Sequence, residues 1–158
     1  MSMTETARRC ACISAALMCV PAWAQNDLGY DPVADPFAVL NEARAAAVEH
    51  DKLVLVIAGG EWCIWCHYLN AFLEDNPDIE QAFKEVFVTV KVYFGDEADN
   101  SAFFAMLPEA VGYPHFWVIG ADGEVLVSQN TLPLEDGAKS YDRDRFMAFV
   151  EQWRNHGA

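Results

Sequence analysis

The run from Leu53 through His67 leaves this chain few ways to fold. Leu53 to Ala58 is apolar at every position, the pattern of a strand covered on both faces and therefore central in its sheet. Gly59-Gly60-Glu61-Trp62 then turns the chain into Cys63-Ile64-Trp65-Cys66-His67, and Trp65, Leu69, Phe72 and Leu73 recur at helical spacing. Strand, tight turn and helix start follow one another, with Cys63 where the helix begins. A cysteine there meets unpaired backbone N–H groups and the positive end of the helix dipole, both of which favour thiolate over thiol. Cys63 is the expected nucleophile. Cys66, one helical turn on, can close a disulfide with it and is expected to be the better covered of the two.

The chain has five cysteines, and its first segment accounts for the other three. Arg8-Arg9 precede a short apolar stretch from Cys10 to Val20, Pro21 breaks it, and Ala22-Trp23-Ala24 fits a small-x-small cleavage rule. This predicts a secretory signal peptide over residues 1–24, cut after Ala24, with an uncleaved anchor as the alternative. The apolar stretch is short for a bilayer span, so no stable membrane insertion is expected. A lipoprotein is excluded by Ala16-Leu17-Met18 ahead of Cys19. Cleavage removes Cys10, Cys12 and Cys19 and leaves Cys63 and Cys66. In an oxidising compartment, the bacterial periplasm on this reading, so short a loop restrains little of the unfolded chain. The pair is there for chemistry.

The net charge is −14, from 24 acidic and 10 basic side chains. The leader carries Arg8, Arg9 and Glu5, so the mature part is one unit more negative. Such a surface repels phosphate backbones and anionic lipid, which argues against nucleic-acid or membrane-surface binding and is explained by solubility.

Residues 25–35 contain Gly, Pro and Asp without periodicity and are expected to form an extended N-terminal arm. Asp35-Pro36 is a helix cap followed by proline at the first helical position, and Phe37, Leu40, Ala43, Ala47 and Val48 continue a helix to about His50. After the cysteine helix, Asn76-Pro77 restarts a short helix through Phe83, and Val86 to Phe94 is a strand. Gly95 to Asn100 is an acidic loop and Ser101 to Leu107 a short helix. Gly112-Tyr113-Pro114 interrupts, His115 to Ile119 is a strand, Asp122-Gly123 a hairpin turn, and Val125 to Gln129 the returning strand. Leu132 to Tyr141 is expected as polar loop. Asp142 caps a final helix with Phe146, Phe149, Val150 and Trp153 on one face. A β-α-β start that ends in a hairpin and a closing helix implies an α/β fold, with a central mixed β-sheet flanked by helices on both faces.

With Trp62-Cys63-Ile64-Trp65-Cys66 at the tip of the first strand and Pro114 ahead of the third, the chain resembles the thioredoxin superfamily. The resemblance covers Phe37 to Trp153 and puts a thioredoxin-like domain at residues 36–158. Trp65-Cys66-His67, followed by an acidic segment and Asn76-Pro77, is most similar to exported thioredoxin-like proteins with a Cys-x-Trp-Cys-His motif. The resemblance implies a cis bond before Pro114, facing the cysteines, and backbone hydrogen bonds from Tyr113 to a substrate strand. One position departs from the family. The buried acid that many thioredoxins carry six places before the first cysteine is Ile57 here, although Lys91 has a family counterpart. Proton handling then falls to Glu61, His67 or water.

The expected activity is thiol-disulfide exchange with protein thiol or disulfide substrates through Cys63 and Cys66. The redox-active disulfide is the chemical group, and no dissociable cofactor or metal is expected. A membrane electron donor or acceptor is implied as partner. His67, four positions after Cys63, would share its helix face and, when protonated, could stabilise the thiolate. Trp62 and Trp65 are candidate rim residues for peptide substrates, with Trp65 as plain core the other reading. Three alternatives stand beside this. Cys63-x-x-Cys66-His67 is also a haem c attachment pattern, with His67 and Met106 or Met147 as axial ligands. Zinc or copper could sit on Cys63 and Cys66 with His67 or His115. A binding or chaperone module could use the disulfide passively.

Overall fold

A computed structural model describes residues 27–156, so the expected signal peptide lies outside the described residues. The first helix, α1 (Pro36–Glu49), begins where the sequence predicts: the Asp35 carboxylate accepts the Phe37 N–H at 3.0 Å, with Pro36 in the first turn. Strand β1 (Leu53–Gly59) is buried along its whole length. Next come α2 (Ile64–Asp75), α3 (Pro77–Val86) and β2 (Phe87–Tyr93). The helix α4 (Ser101–Phe104), strands β3 (His115–Ile119) and β4 (Val125–Asn130), and α5 (Arg143–Trp153) complete the order.

The sheet order is β2-β1-β3-β4, with β1 parallel to β2 and antiparallel to β3, and β3 antiparallel to β4. Side chains alternate across a strand, so β1 feeds two separate cores. Leu53, Leu55 and Ile57 join Phe72, Phe83, Phe146 and Phe149 under α2, α3 and α5. Val54, Val56 and Ala58 join Ala43, Ala47, Phe103 and Trp117 under α1 and α4. Each buried Leu, Ile, Val or Phe stabilises the fold by roughly 1.5–3 kcal/mol. The sheet is thus mixed and covered by helices on both faces, as the element order implies.

Three segments differ from expectation in extent. Helix α4 stops at Phe104 rather than Leu107, and the chain leaves it in turns closed by Met106 N–H to Phe103 and Leu107 N–H to Phe104. Pro108 follows, and a residue before proline is pushed out of helical conformation. Strand β2 starts at Phe87 because α3 runs on to Val86, with the Phe87 N–H still bonded to Phe83. The segment from Leu132 to Tyr141 is more than polar loop: it opens with a 3-10 turn at Leu132–Leu134, and Leu134 and Tyr141 are buried. Its apolar residues are too few and too irregularly spaced to show as a period.

The arm is described from residue 27, and there it is docked. Leu28 and Tyr30 are 4% and 5% exposed and belong to the core that holds Cys63 and Cys66. Gly29 between them takes φ 80°, a left-handed conformation that glycine adopts freely, and the bend brings both side chains into the same core. The backbone between them is held as well: Glu61 Oε1 accepts the Leu28 N–H at 2.8 Å, and Lys91 Nζ donates to the Leu28 carbonyl. If this docking is part of the folded unit, Leu28→Ala should lower unfolding free energy in urea by about 2–5 kcal/mol. A loss of only a few tenths would show an arm that rests on the domain without contributing to it.

Candidate active site

Strand β1 delivers the chain to Gly59, and Gly60 turns it, its carbonyl accepting the Cys63 N–H at 3.0 Å. Cys63 is the N-cap of α2, in extended conformation at φ −88° and ψ 101°. Its sulfur accepts the Cys66 N–H at 3.2 Å, the bond that a serine or aspartate would accept at the same place. A donor aimed at this sulfur favours negative charge on it. Cys63 and Cys66 form a disulfide, with Cα atoms 5.2 Å apart. Cys63 is hardly more open than Cys66, at 4% against 3% exposed, so the expected contrast in cover is slight. The exposed part of the turn is its apolar rim, Trp62 and Ile64, each more than half exposed.

Trp62 fixes this turn to the rest of the site. Its indole N–H donates to the Phe94 carbonyl at 2.6 Å, and its ring meets Tyr113 edge-on at 5.5 Å. Tyr113 in turn stacks on Phe94 at 4.5 Å. The bond between Tyr113 and Pro114 is cis, with Tyr113 half-buried and Pro114 buried. The proline loop and the cysteine turn are therefore neighbours, brought together by rings from three separate segments.

A second tie runs beneath them. The Tyr141 hydroxyl lies 3.3 Å from the Trp65 carbonyl oxygen and 3.2 Å from Thr131 Oγ1, and the Thr131 hydroxyl reaches the Pro114 carbonyl at 3.4 Å. Tyr141 and Thr131 are absent from the sequence-based candidates because they lie in and beside the supposed polar loop. The one available signal is Tyr141 itself, a large side chain directly ahead of the Asp142 cap. Trp65 is half-buried, edge-on to Tyr68 at 5.2 Å and to Tyr141 at 5.8 Å. It packs toward the core, whereas Trp62 stands in the rim.

The ionisable candidates meet each other more than they meet sulfur. His67 Nε2 donates to the Glu61 main-chain carbonyl at 2.8 Å and lies 4.0 Å from Glu61 Oε2. The Glu61 carboxylate meanwhile holds the arm at Leu28. Lys91 pairs with Ile57 across β1 and β2; burial pushes its ammonium below the usual range, opposed by Glu61, Asp27 and Glu74. His115, next to Pro114, is buried, shares a hydrogen bond of 2.9 Å between Nε2 and Ser128 Oγ, and leaves Nδ1 without a partner. Among the described residues no three His, Cys, Asp or Glu side chains come together as a metal-ligating group. The haem arrangement fits poorly, since the His67 nitrogen is occupied by a carbonyl, Met106 is exposed and Met147 packs against the core of α5.

A family model described as thioredoxin-like matches residues 35–121, from the cap of α1 to just past β3. The chain belongs to the thioredoxin-like family. Among solved structures, this thioredoxin-like chain is similar to a disulphide isomerase from Xylella fastidiosa Temecula1. The TM-score is 0.67 and the identity 24%, over 78% of this chain and 95% of that one. It is also similar to the DsbD C-terminal domain of Neisseria meningitidis in its oxidised form, at TM-score 0.56 and 22% identity, over 77% of this chain and 97% of that one. A thioredoxin from Thermus thermophilus aligns at TM-score 0.50 and 24% identity, over 71% of this chain and 81% of that one. At these identities the likeness is one of fold. No curated protein matches the sequence. The described residues of the thioredoxin-like chain include no helix long and apolar enough to cross a membrane.

Burial lowers the His115 pKa below that of an ordinary imidazole. The unfolded chain, where His titrates near about 6.5, therefore binds the proton more readily than the folded one. The stability that neutral His115 allows is complete above that value and is lost as pH falls through and below it. Relative to His115→Gln, the wild-type chain should lose stability between about pH 7.5 and pH 5, measured as urea midpoints along a pH series. Parallel curves would mean that His115 titrates as a solvated side chain.

Proposed function

We propose that the protein is an exported thiol-disulfide oxidoreductase acting on protein substrates through Cys63 and Cys66. The observation that carries this reading is the Cys66 N–H on the Cys63 sulfur, at the start of a helix and beside a loop that ends in a cis proline. In the reducing direction the Cys63 thiolate attacks a substrate disulfide. A Cys63–substrate disulfide forms and one substrate sulfur leaves with the electron pair, taking up a proton. Cys66 then loses its proton and attacks the Cys63 sulfur, the second substrate sulfur leaves, and the Cys63–Cys66 disulfide closes. The reverse sequence oxidises a substrate dithiol. Direction follows from how far the fold favours the Cys63 thiolate over the disulfide.

Both sulfurs are covered, so substrate must come to the rim. Trp62, exposed and tied to Phe94, offers an apolar contact for a substrate chain, while Tyr113 and Pro114 offer an adjacent backbone edge. Trp65 takes a smaller part in this reading, behind the rim. Glu61 and His67 act on the shape and charge of the turn rather than by touching sulfur. The active group is the disulfide itself, with no further cofactor. Each turnover leaves the pair in the opposite redox state, so a second exchange partner is needed. In the periplasm we assign that part to a membrane protein that presents a dithiol or disulfide.

Cys66→Ser tests the reading by removing the resolving thiol. Incubated with extracts or with a disulfide-bonded model protein, it should accumulate mixed disulfides that disappear on reduction. Cys63→Ser should form none and lose exchange activity by on the order of a thousandfold. Mixed disulfides that form equally in the absence of Cys63, or that never form with Cys66→Ser, would sink the proposal.

A further inference from the structure

The exchange reading leaves one buried titratable group without a task, and it lies against the resolving sulfur. Gly59 is buried between the two. A Cβ at Gly59 would stand 2.5 Å from Cys66 Sγ and 2.8 Å from the Tyr30 hydroxyl oxygen. Sulfur and hydroxyl thus flank one small space that exists only because residue 59 has no side chain. Tyr30 is buried in the core that holds the cysteines and lines one cavity with Cys66, and its hydroxyl makes no hydrogen bond to another described residue. A phenol that lines one cavity with a sulfur has a donor proton to offer when that sulfur takes on charge.

The opened disulfide supplies that charge. Cys66 is held by its bond to Cys63 when oxidised; reduction frees its χ1 to turn within the space Gly59 leaves open. In the resolving step Cys66 must carry negative charge in a buried place, which burial by itself disfavours. The alternatives to Tyr30 as donor are committed elsewhere. Ile57, on the strand beneath, is apolar. Lys91 Nζ donates to the Leu28 carbonyl and stands 5.6 Å from the centroid of the Tyr30 ring. Glu61 accepts from Leu28 and His67 donates to the Glu61 carbonyl. Glu74, Glu80 and Lys84 line the outer part of the same cavity, the last two paired at 2.6 Å. Burial, with Tyr141 and Glu61 nearby, pushes Tyr30 far above an ordinary phenol, so its proton stays in place as Cys66 ionises.

We propose that Tyr30, carried in by the arm ahead of α1, donates a hydrogen bond to the Cys66 sulfur and so supports its thiolate while it resolves a mixed disulfide on Cys63. This rests on the exchange reading. The phenol keeps its proton throughout. The Cys66 proton passes to solvent, the Cys66 electron pair forms the bond to Cys63, the Cys63–substrate bond breaks, and the departing substrate sulfur takes up a proton. The arm is then part of the chemistry as well as of the fold: Glu61 and Lys91 hold the backbone at Leu28 so that Tyr30 arrives at sulfur.

The test separates the two steps of exchange in the full chain. Reduced protein is mixed with glutathione disulfide across a pH series, and tryptophan fluorescence follows attack by Cys63, first order in glutathione disulfide, and then resolution by Cys66, independent of it. Tyr30→Phe, which keeps the ring, should leave attack unchanged, slow resolution about tenfold and move its pH profile roughly one unit to alkaline. Replacement of Tyr30 by 3-fluorotyrosine, a stronger acid of nearly the same shape, should move the profile toward acid. It also serves as the probe if Tyr30→Phe folds poorly. Equal resolution in all forms, or a slowing of both steps with no shift in profile, overturns the role of Tyr30 while exchange itself stands. Absence of any glutathione adduct in the wild type overturns the exchange reading as well.

Discussion

One contact, the Cys66 N–H on the Cys63 sulfur, gives the turn its chemical character, and most of the local structure is needed to make it. The donor is shared: in the first turn of α2 the Cys66 N–H reaches the Cys63 carbonyl at 2.9 Å as well as the Cys63 sulfur at 3.2 Å, a bifurcated bond of the kind common at helix starts. The acceptor is in line because Cys63 keeps an extended backbone at the cap. Both conditions require that the chain leave β1 at Gly59 and turn at Gly60 without delay. A strand buried on both faces and paired on both edges holds that exit point still. A hydrogen bond to a charged group is worth about 1.5–3 kcal/mol, more than one to a neutral thiol. The contact therefore matters most when sulfur ionises.

The site has two halves that are far apart in sequence, and packing brings them together. Above, the rings of Trp62, Tyr113 and Phe94 join the cysteine turn to the proline loop and to the end of β2. Below, Tyr141 and Thr131 link the carbonyls of Trp65 and Pro114. The upper tie is partly exposed and open to a substrate; the lower one is buried and fully polar, so its loss would leave unpaired groups in a low-dielectric place. These ties hold the proline loop in register with the turn while the disulfide opens and closes.

Ionisable side chains around the turn act through position more than through direct contact with sulfur. Glu61 is the hub: its carboxylate holds Leu28, its carbonyl takes His67, and its charge opposes the effect of burial on Lys91. The absent acid at Ile57 is met by geometry of a different kind, since the space under Cys66 is filled from the arm. Leu28 and Tyr30 enter the same core as the cysteines, and Lys91 closes over them.

The central strand, the capped helices and the place of Cys63 at a helix start were legible in the sequence, because each depends on neighbours a few residues away. The uniform apolar run of β1, Asp35-Pro36, the Asp142 cap and the face of α5 all appear where local periodicity and capping chemistry put them. The pairing of Cys63 with Cys66 is local in the same sense. The near-equal cover of the two sulfurs, the turn of His67 toward Glu61, the inward lean of Trp65, and the burial of Leu28, Tyr30, Thr131 and Tyr141 were not legible. Each arises from contacts across dozens of residues, and an isolated apolar or aromatic residue in a polar stretch has no period to announce which side it will face. The sequence by itself determined where a thiol would be placed at a helix start; only the tertiary structure decided what would stand around it, because that follows from which distant surfaces the two cores bring into contact.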